Sequence, residues 1–400
     1  MSVFFTLLFL SSLVCISKQQ ECKNDVEIVC YWGSWAWYRT EIGQFTSDDL
    51  DTTICTKIIY TFAGLDEKLE ISPLDHELDV TMKGYANVTN LKIKNPCLKV
   101  ILAVGGWNEG SQKYSIAAYT AERRQKFADN VLKFLVYYDF DGIDVDWEYP
   151  TTRGGVLADG ENFAALLRTV KDTISPWGFA VSTAVAIDET LIGTAYIIKD
   201  IADTVDYVHL MAYDYVPSTS NKTGLSSPMS AMNKSVSLWL DGGLPAKKLI
   251  LGLPAYARNF VLQDPSQTGI GAPVGEVGRP GPFTKEDGFL AYYEVLDTYK
   301  YVDYTIVSVD GTNYAYLDDE WLTYENVETV KLKTQYALDL NLGGIMLWSL
   351  DTDDFRGKYG NKYPLLNAIN DAIQEHKVLR YRNVIAPFRS NKQMNMFIHE

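Results

Sequence analysis

The sequence predicts an α/β fold: a (β/α)8 barrel of the TIM type, with a small α+β domain inserted between strands seven and eight. Eight short apolar, β-branched runs recur along the chain, and helical stretches separate them. One interval between runs is far longer than the others. Because the runs lack polar alternation, they are typical of a parallel sheet covered by helices, and eight such units close into a barrel.

The eight predicted strands are residues 26–32, 56–62, 99–105, 142–146, 179–186, 207–212, 249–254 and 344–348. The clearest helix between them begins after Thr120, a good N-cap residue, and is followed by apolar residues at helical spacing. A second helical stretch, near residues 235–240, ends at two glycines that suit a C-terminal cap. A last helix is predicted over residues 363–375.

The interval from strand seven to strand eight has about ninety residues, which is too long for a simple connection in a compact domain. Residues 263–283 are rich in glycine and proline, and tyrosines crowd the remainder. We therefore expect a barrel formed by residues 26–255 and 336–376, an inserted α+β domain over residues 256–335, and a C-terminal tail over residues 377–400.

The first 17 residues resemble a signal peptide, because a short apolar run ends in small residues and is too short to span a bilayer. Its removal would take Cys15 and leave Cys22, Cys30, Cys55 and Cys97, an even number in an oxidising compartment. Three pairings of these four cysteines are possible. We expect a secreted, extracellular protein.

Composition narrows the range of partners. The formal net charge is −15 and no Lys/Arg-rich run occurs, which argues against nucleic acid and against an anionic membrane surface as partners. An uncharged polymer suits the 26 Tyr and 9 Trp, since aromatic rings stack on flat apolar surfaces. Glycosylation sequons occur at Asn87, Asn221 and Asn233.

The most informative segment is residues 140–150, which contains three alternating acids. Side chains alternate across a strand, so Asp144, Asp146 and Glu148 share one face and point toward the barrel mouth where such enzymes keep their chemistry. Like charges this close raise at least one pKa, which suits a protonated donor near neutral pH.

A solvated strand and a calcium-binding loop are two alternative structures for this acidic segment, and both fit it less well. A solvated acidic strand conflicts with the apolar opposite face, and a calcium loop would need glycine and glutamate where Tyr149 and Gly155 stand. The four histidines show no metal-ligand spacing, so we expect neither a metal nor a cofactor. They are His76, His209, His376 and His399.

This segment resembles the Asp-x-x-Asp-x-Asp-x-Glu signature of glycoside hydrolase family 18, the chitinases and chitinase-like lectins. Asp141, Asp144, Asp146 and Glu148 match it. Residues 31–39, 60–62, 103–108, 211–214, 254–258 and 344–351 also resemble family segments in the family's order. The resemblance therefore covers roughly residues 26–375.

The resemblance implies a retaining, substrate-assisted hydrolysis of β-1,4-linked N-acetylglucosamine in chitin or chitooligosaccharides. Glu148 would be the general acid and base, Asp146 and Tyr213 would hold the substrate's acetamido group, and Asp144 would share a proton with Asp146. Trp348 would form the floor under the sugar at the cleavage site. We expect an endo-acting enzyme and a monomer.

Further residues match substrate-lining positions of the family: Trp107, Tyr31, Trp35, Phe62, Met211, Asp214, Tyr256, Arg258 and Met346. Tyr31 and Phe62 are equally consistent with packing inside the barrel. The family also implies a Cys30–Cys55 disulfide, which leaves Cys22–Cys97 as the remaining pair, although the first and third strands are not neighbours.

Departures from the family pattern affect the expected activity. Many relatives carry a His-Gly pair and then a Trp after Met-x-Tyr-Asp, whereas residues 215–223 here contain no Trp, so we expect weaker binding on the leaving side. Ala103 stands where Ser is common, and Tyr359 where Cys is common. The alternative function is a non-catalytic lectin or growth-factor-like protein, but such proteins usually replace the terminal Glu, which is present here.

Overall fold

Eight parallel strands close into a barrel in the computed structural model, which describes residue 22, residues 25–301 and residues 303–394. They are β1 (Glu27–Gly33), β2 (Lys57–Leu65), β3 (Lys99–Gly105), β4 (Gly142–Asp146), β5 (Ala180–Val185), β6 (Tyr207–Leu210), β7 (Leu249–Pro254) and β8 (Gly344–Trp348). Each pairs with the next, and β1 pairs with both β2 and β8, so the barrel is closed. The predicted (β/α)8 barrel is confirmed.

Alternation along the strands separates two apolar clusters. Inward residues such as Val29, Ile59 and Ile101 fill the barrel, while outward residues such as Ile58 and Val145 pack under the helices. Both faces are buried, which explains why the strands read as continuous apolar runs. A short additional strand pairs antiparallel with the end of β2 and covers Ile71–Pro73.

Helices between the strands surround the barrel: Gly84–Thr89, Leu91–Lys94, Gln112–Ala118, Ala121–Tyr138, Asp159–Ile174, Glu189–Ala195, Ile198–Thr204, Met229–Asp241 and Val327–Asp339. The helix Tyr292–Tyr301 belongs to the inserted domain, and the helix Pro364–Met394 follows β8. Thr120 caps the helix Ala121–Tyr138 as predicted, since its side chain accepts a hydrogen bond from the backbone N–H of Arg123. That helix buries the predicted apolar stripe, which includes Phe127 and Val131.

The long interval between β7 and β8 forms the predicted α+β domain. Its sheet contains six antiparallel strands: Tyr256–Leu262, Val274–Val277, Phe289–Ala291, Thr305–Val309, Thr312–Leu317 and Glu320–Tyr324. The first of these strands pairs with three others and begins two residues after β7 ends. The domain is therefore joined directly to the carboxyl end of a barrel strand, on the face where the acidic segment of β4 ends.

The last helix is longer than the sequence predicted. It covers Pro364–Met394 rather than residues 363–375, and so takes in much of the segment assigned to a tail. Residues 376–386 contain neither glycine nor proline, which leaves nothing to stop the helix there. The predicted signal peptide lies outside the described residues.

Two disulfides join the first three βα units. Cys30 in β1 is bonded to Cys55, with Cα atoms 6.1 Å apart, and Cys22 is bonded to Cys97, with Cα atoms 5.2 Å apart. Cys22 lies five residues ahead of β1, and an extended chain of that length reaches about 16 Å, more than the roughly 10 Å that separates alternate strands of a sheet. That reach removes the objection that the first and third strands are not neighbours.

Candidate active site

The acidic segment lies at the carboxyl end of β4, in the middle of one wall of the barrel. Asp144 pairs in register with Ala103 of β3 and Ser182 of β5, and Asp146 pairs with Gly105. The two acidic side chains are buried, at 0% and 2% exposure. Because side chains alternate along a strand, both acids point into the barrel. Trp147, which follows Asp146, packs outward in the core beneath the helices.

Asp144 accepts hydrogen bonds from two other strands and lies close to a third. The hydroxyl of Tyr31 donates to Oδ2 at 2.7 Å, the hydroxyl of Ser182 donates to Oδ1 at 2.6 Å, and Nδ1 of His209 lies 3.3 Å from Oδ1. His209 Nδ1 also lies 2.7 Å from the Tyr31 oxygen. A phenol has one hydrogen, which Tyr31 gives to Asp144, so Nδ1 of His209 must be the donor to Tyr31. These bonds favour a fixed Asp144 side chain.

Asp146, unlike Asp144, has a buried carboxyl oxygen, Oδ1, without a hydrogen-bond donor in the described chain. Burial, followed by the charges of Glu148 and Asp144, raises the pKa of Asp146 well above its ordinary value. A carboxyl in this condition favours a shared or bound proton, and it is free to accept a new partner.

Glu148 follows β4 and is half-buried at the barrel mouth. Burial raises its pKa from 4.5 to about 7, with a further upward contribution from Asp214, while a hydrogen bond with Tyr149 and the charge of Arg153 act downward. Arg153 Nη1 also donates to the backbone oxygen of Glu148 at 2.8 Å. A carboxyl with a pKa near neutrality can both donate a proton and take one back.

Tyr213 and Asp214 come from the end of β6. Burial raises the pKa of the Tyr213 hydroxyl well above its ordinary value, so the group remains a hydrogen-bond donor. Asp214 forms a two-pronged ion pair with Arg258 of the inserted domain, with contacts of 2.8 Å to Nε and 2.6 Å to Nη2. The pair connects the barrel and the inserted domain at the mouth.

Three aromatic side chains form a wall beside the acids. Trp348 ends β8, and its ring centre lies 6.0 Å from that of Phe62 and 6.3 Å from that of Trp35. Trp35 and Phe62 are stacked at 6.1 Å with an interplanar angle of 13°. Such a set of rings is suited to the apolar faces of sugars. The peptide bonds before Phe62 and after Glu148 and Trp348 are cis.

Trp107, at the end of β3, is the most exposed of the predicted aromatic residues, at 57% exposure. The guanidinium of Arg153 lies 3.6 Å from the centre of its ring and covers one face. Tyr31 is buried, contacts the Trp348 ring and donates a hydrogen bond to Asp144. The remaining predicted residues are buried with Tyr213 in the cluster that fills the barrel: Met211, Tyr256 and Met346.

The structure also brings in residues that the sequence did not single out. Phe289 of the inserted domain stacks on Tyr256 at 4.7 Å, and Arg258 lies 5.5 Å from the Phe289 ring. Ser182 and His209, which hold Asp144, were also missed. His209 had a detectable signal, because it alternates with Met211 along β6, whereas nothing in the sequence placed Phe289 at the barrel.

Among the described residues, no group of three or more His, Cys, Asp or Glu side chains is arranged to hold a metal ion. In the same part of the chain, no helix combines the length and apolar character needed to cross a bilayer. The three sequon residues Asn87, Asn221 and Asn233 are exposed.

Comparison with known proteins agrees with this geometry. The family described as glycosyl hydrolases family 18 matches residues 27–353. Chitotriosidase-1 of Mus musculus is 37% identical over 371 residues, which cover 88% of this chain and 78% of that protein.

Two solved structures illustrate the similarity to a chitinase and to a pseudo-chitinase. The Ostrinia furnacalis group IV chitinase in complex with allosamidin is 39% identical, with a TM-score of 0.86 over 88% of this chain and 99% of that one. Human YKL-39, described as a pseudo-chitinase with retained chitooligosaccharide binding properties, is 29% identical, with a TM-score of 0.79 over 87% of this chain and 100% of that one. The family match and these identities lead to one conclusion: the chain belongs to glycosyl hydrolase family 18.

Proposed function

We propose that this protein is a secreted, catalytically active chitinase that cleaves β-1,4 linkages between N-acetylglucosamine units. The observation that carries the proposal is the arrangement at one barrel mouth: Glu148 with a pKa of about 7, Asp146 with an unpartnered buried oxygen, and Trp348 beside them. Chitin fragments are uncharged, which suits a protein with a formal net charge of −15.

In the first step, Glu148 gives its proton to the oxygen of the scissile glycosidic bond. That bond breaks as the carbonyl oxygen of the substrate's own acetamido group attacks the anomeric carbon, which forms a cyclic oxazolinium ion. Asp146 accepts the acetamido N–H, and the Tyr213 hydroxyl donates to the acetamido oxygen. Together they orient the attacking group and balance its developing charge.

In the second step, water attacks the same carbon from the side that the leaving sugar has vacated. Glu148, now ionised, takes the proton from water, the oxazolinium ring opens, and the product keeps its β configuration. The pKa near neutrality supports both halves of this cycle, because neither proton transfer is strongly uphill. Asp144, held by Tyr31 and Ser182, would stay fixed while Asp146 changes partners.

The first experiment compares wild type with Glu148→Gln on a fluorogenic chitobioside and on chitohexaose. The amide cannot donate the proton, so we expect a loss of at least about a hundredfold in kcat. Glu161→Gln is the matched control, since Glu161 is an exposed acid in the first turn of the next helix and should leave turnover unchanged. Equal turnover by Glu148→Gln and wild type would contradict the proposed role.

The main competing function is a lectin, since human YKL-39 has this fold and is described as a pseudo-chitinase. A wild-type protein that binds chitotetraose but releases no product would favour the lectin. Analysis of early products from chitohexaose tests the endo-acting mode, because internal cleavage gives several product lengths at once, whereas terminal cleavage gives one. Sedimentation analysis tests the proposed monomer.

Secretion and glycosylation are tested separately. Two disulfides in the described chain are compatible with an oxidising compartment. Expression in a secretory host should place the protein in the medium with an N-terminus after residue 17, and treatment with an endoglycosidase should lower its mass by up to three glycans. Retention of residues 1–17 on the recovered protein would contradict the signal-peptide assignment.

A further inference from the structure

A buried ion pair joins the inserted domain to the barrel helix Val327–Asp339, away from the acids of β4. Lys333 of the helix Val327–Asp339 and Glu325, just after the strand Glu320–Tyr324, are in direct contact, and both side chains are 0% exposed. The Thr312 hydroxyl adds a hydrogen bond of 2.8 Å to Glu325 Oε1. Taking two charges out of water is costly, and the cost is offset only where the pair has good geometry and further hydrogen bonds.

The pair forms hydrogen bonds with Ser227, at the end of the loop that follows β6. Lys333 Nζ donates to the backbone oxygen of Ser227 at 2.5 Å and lies 3.2 Å from its hydroxyl oxygen. The Ser227 hydroxyl donates in turn to Glu325. Ser227 is itself completely buried, so water cannot replace these bonds without opening the interface.

The adjacent residue, Ser226, connects the ion pair to the candidate active site through hydrogen bonds. The Ser226 hydroxyl accepts the backbone N–H of Asp214 at 3.3 Å, and its backbone oxygen accepts the N–H of Tyr215 at 3.0 Å. Its own N–H donates to the hydroxyl of Thr323, in the strand next to Glu325, at 3.2 Å. Asp214 adopts a left-handed backbone conformation with φ of 59°, which needs support from its surroundings.

The inserted domain also holds the same loop at two more points. Arg258 pairs with the Asp214 carboxylate at the barrel mouth. Farther along, the Thr223 hydroxyl donates to the backbone oxygen of Gly269 at 2.8 Å and accepts the N–H of Ala272 at 3.0 Å. The loop from Asp214 onward is therefore bound to the inserted domain at its beginning, middle and end.

We infer that the inserted domain of this protein is a positioning device for Tyr213 and Asp214, and that the Glu325–Lys333 pair is its anchor. Ser227 and Ser226 connect the pair to the backbone of Asp214. Asp214 directly follows Tyr213, whose hydroxyl is proposed to hold the acetamido group. The two members of the pair are thus positioning residues, which act on the site through the loop and do not touch the substrate. This inference rests on the proposed function, because only there do Tyr213 and Asp214 act on a substrate.

The test separates positioning from folding with a double variant, Glu325→Leu/Lys333→Met. Replacing both members of a buried pair with apolar groups is often neutral for stability, whereas removing one member is not. We therefore expect thermal unfolding close to wild type. The bonds to Ser227 are lost, so we expect kcat on chitotetraose to fall about tenfold, since small misplacements of reacting groups have effects of this order.

Two further variants keep the test decisive if the double variant does not fold. Thr323→Val keeps the side-chain volume and removes the acceptor for the Ser226 N–H, and Ser227→Ala removes the hydroxyl bonds. Both should lower kcat with a smaller change in KM. The matched control is Lys331→Met, which removes the half-buried cation two residues earlier on the same helix and should leave kcat unchanged.

Wild-type kcat in a folded double variant, or in both single variants if the double variant does not fold, would overturn the inference. A wild type without turnover would instead contradict the proposed function. In that case, the affinity for chitotetraose becomes the measurement: an affinity weaker by about threefold or more in the folded variants would support positioning, and an unchanged affinity would overturn it. The two failures are therefore distinguishable.

Discussion

The raised pKa of Glu148 predicts that the candidate active site destabilises the protein above neutral pH. The carboxyl has a pKa of about 7 in the folded protein, against an ordinary value of 4.5. Below pH 4.5 both the folded and the unfolded chain hold the proton, so Glu148 has no effect. As the pH rises toward 7, the unfolded chain releases the proton before the folded one does, and the free energy of unfolding falls. Glu148→Gln removes this loss.

The magnitude follows from the two pKa values. Each pKa unit corresponds to about 1.4 kcal/mol, which for a fully shielded carboxyl would give about 3 to 4 kcal/mol. Glu148 is only half-buried and solvent screens part of this effect, so we expect Glu148→Gln to stabilise the protein by about 1 to 2 kcal/mol above about pH 8. For a chain of this size, that corresponds to a rise of about 1 to 3 °C in Tm. Loss of the Glu148 charge also lowers the pKa of Asp146, which acts in the same direction.

The assay is thermal unfolding of wild type and Glu148→Gln at closely spaced pH values from about 4 to 9, which bracket both pKa values. The two curves should coincide at the acid end and separate as the pH rises from 4.5 through 7, with the Gln variant more stable. Glu161→Gln should follow wild type throughout. A constant difference at all pH values, or a wild type that is the more stable at the alkaline end, would refute the assignment of the raised pKa to Glu148.

Three more outcomes are expected. Arg153→Gln should move the alkaline limb of the pH–kcat profile to higher pH, because the Arg153 charge lowers the pKa of Glu148, while Arg153→Lys should leave that limb in place; identical limbs in both variants would contradict this. Trp348→Ala should raise KM for chitotetraose about tenfold through loss of the aromatic face, and Trp348→Phe should do so less; equal KM values in all three proteins would exclude a platform. Replacing Cys30 and Cys55 together by Ala should lower the free energy of unfolding by about 2 to 4 kcal/mol in urea titrations, and an unchanged midpoint would show that the crosslink adds nothing.

The barrel could be predicted from the sequence because its strands are buried on both faces. The predicted bounds of Lys99–Gly105, Gly142–Asp146, Leu249–Pro254 and Gly344–Trp348 coincide with the observed strands. The inserted domain was predicted as a unit, but its strands were not. One of them, Val274–Val277, is largely exposed and has Gly and Glu at its centre, so it lacks the apolar pattern that marks a buried strand.

The candidate site was predictable to the extent that its residues follow strands in sequence. Glu148 and Trp348 each lie at the end of a strand run, where the barrel topology alone places them at one mouth. Tyr256 and Arg258 of the inserted domain were predicted through the family resemblance, whereas Phe289 carried no such signal. The contact between Phe289 and Tyr256 depends on the pairing of two strands within the inserted sheet, and the hydrogen bonds from Lys333 depend on how the inserted domain packs on the barrel.

The three alternating acids show why spacing alone does not assign roles. Asp144 and Asp146 are two residues apart, share one face of β4 and are both buried, so a sequence pattern treats them alike. Their neighbours differ: hydroxyls from β1 and β5 bind Asp144, while Asp146 Oδ1 has no partner in the described chain. A carboxyl already bound by two hydroxyls has little to gain by turning, whereas one that lacks a donor gains a hydrogen bond from any N–H that enters the barrel mouth. We therefore propose Asp146 as the acid that receives the acetamido group, and Asp144 as the fixed neighbour beneath it.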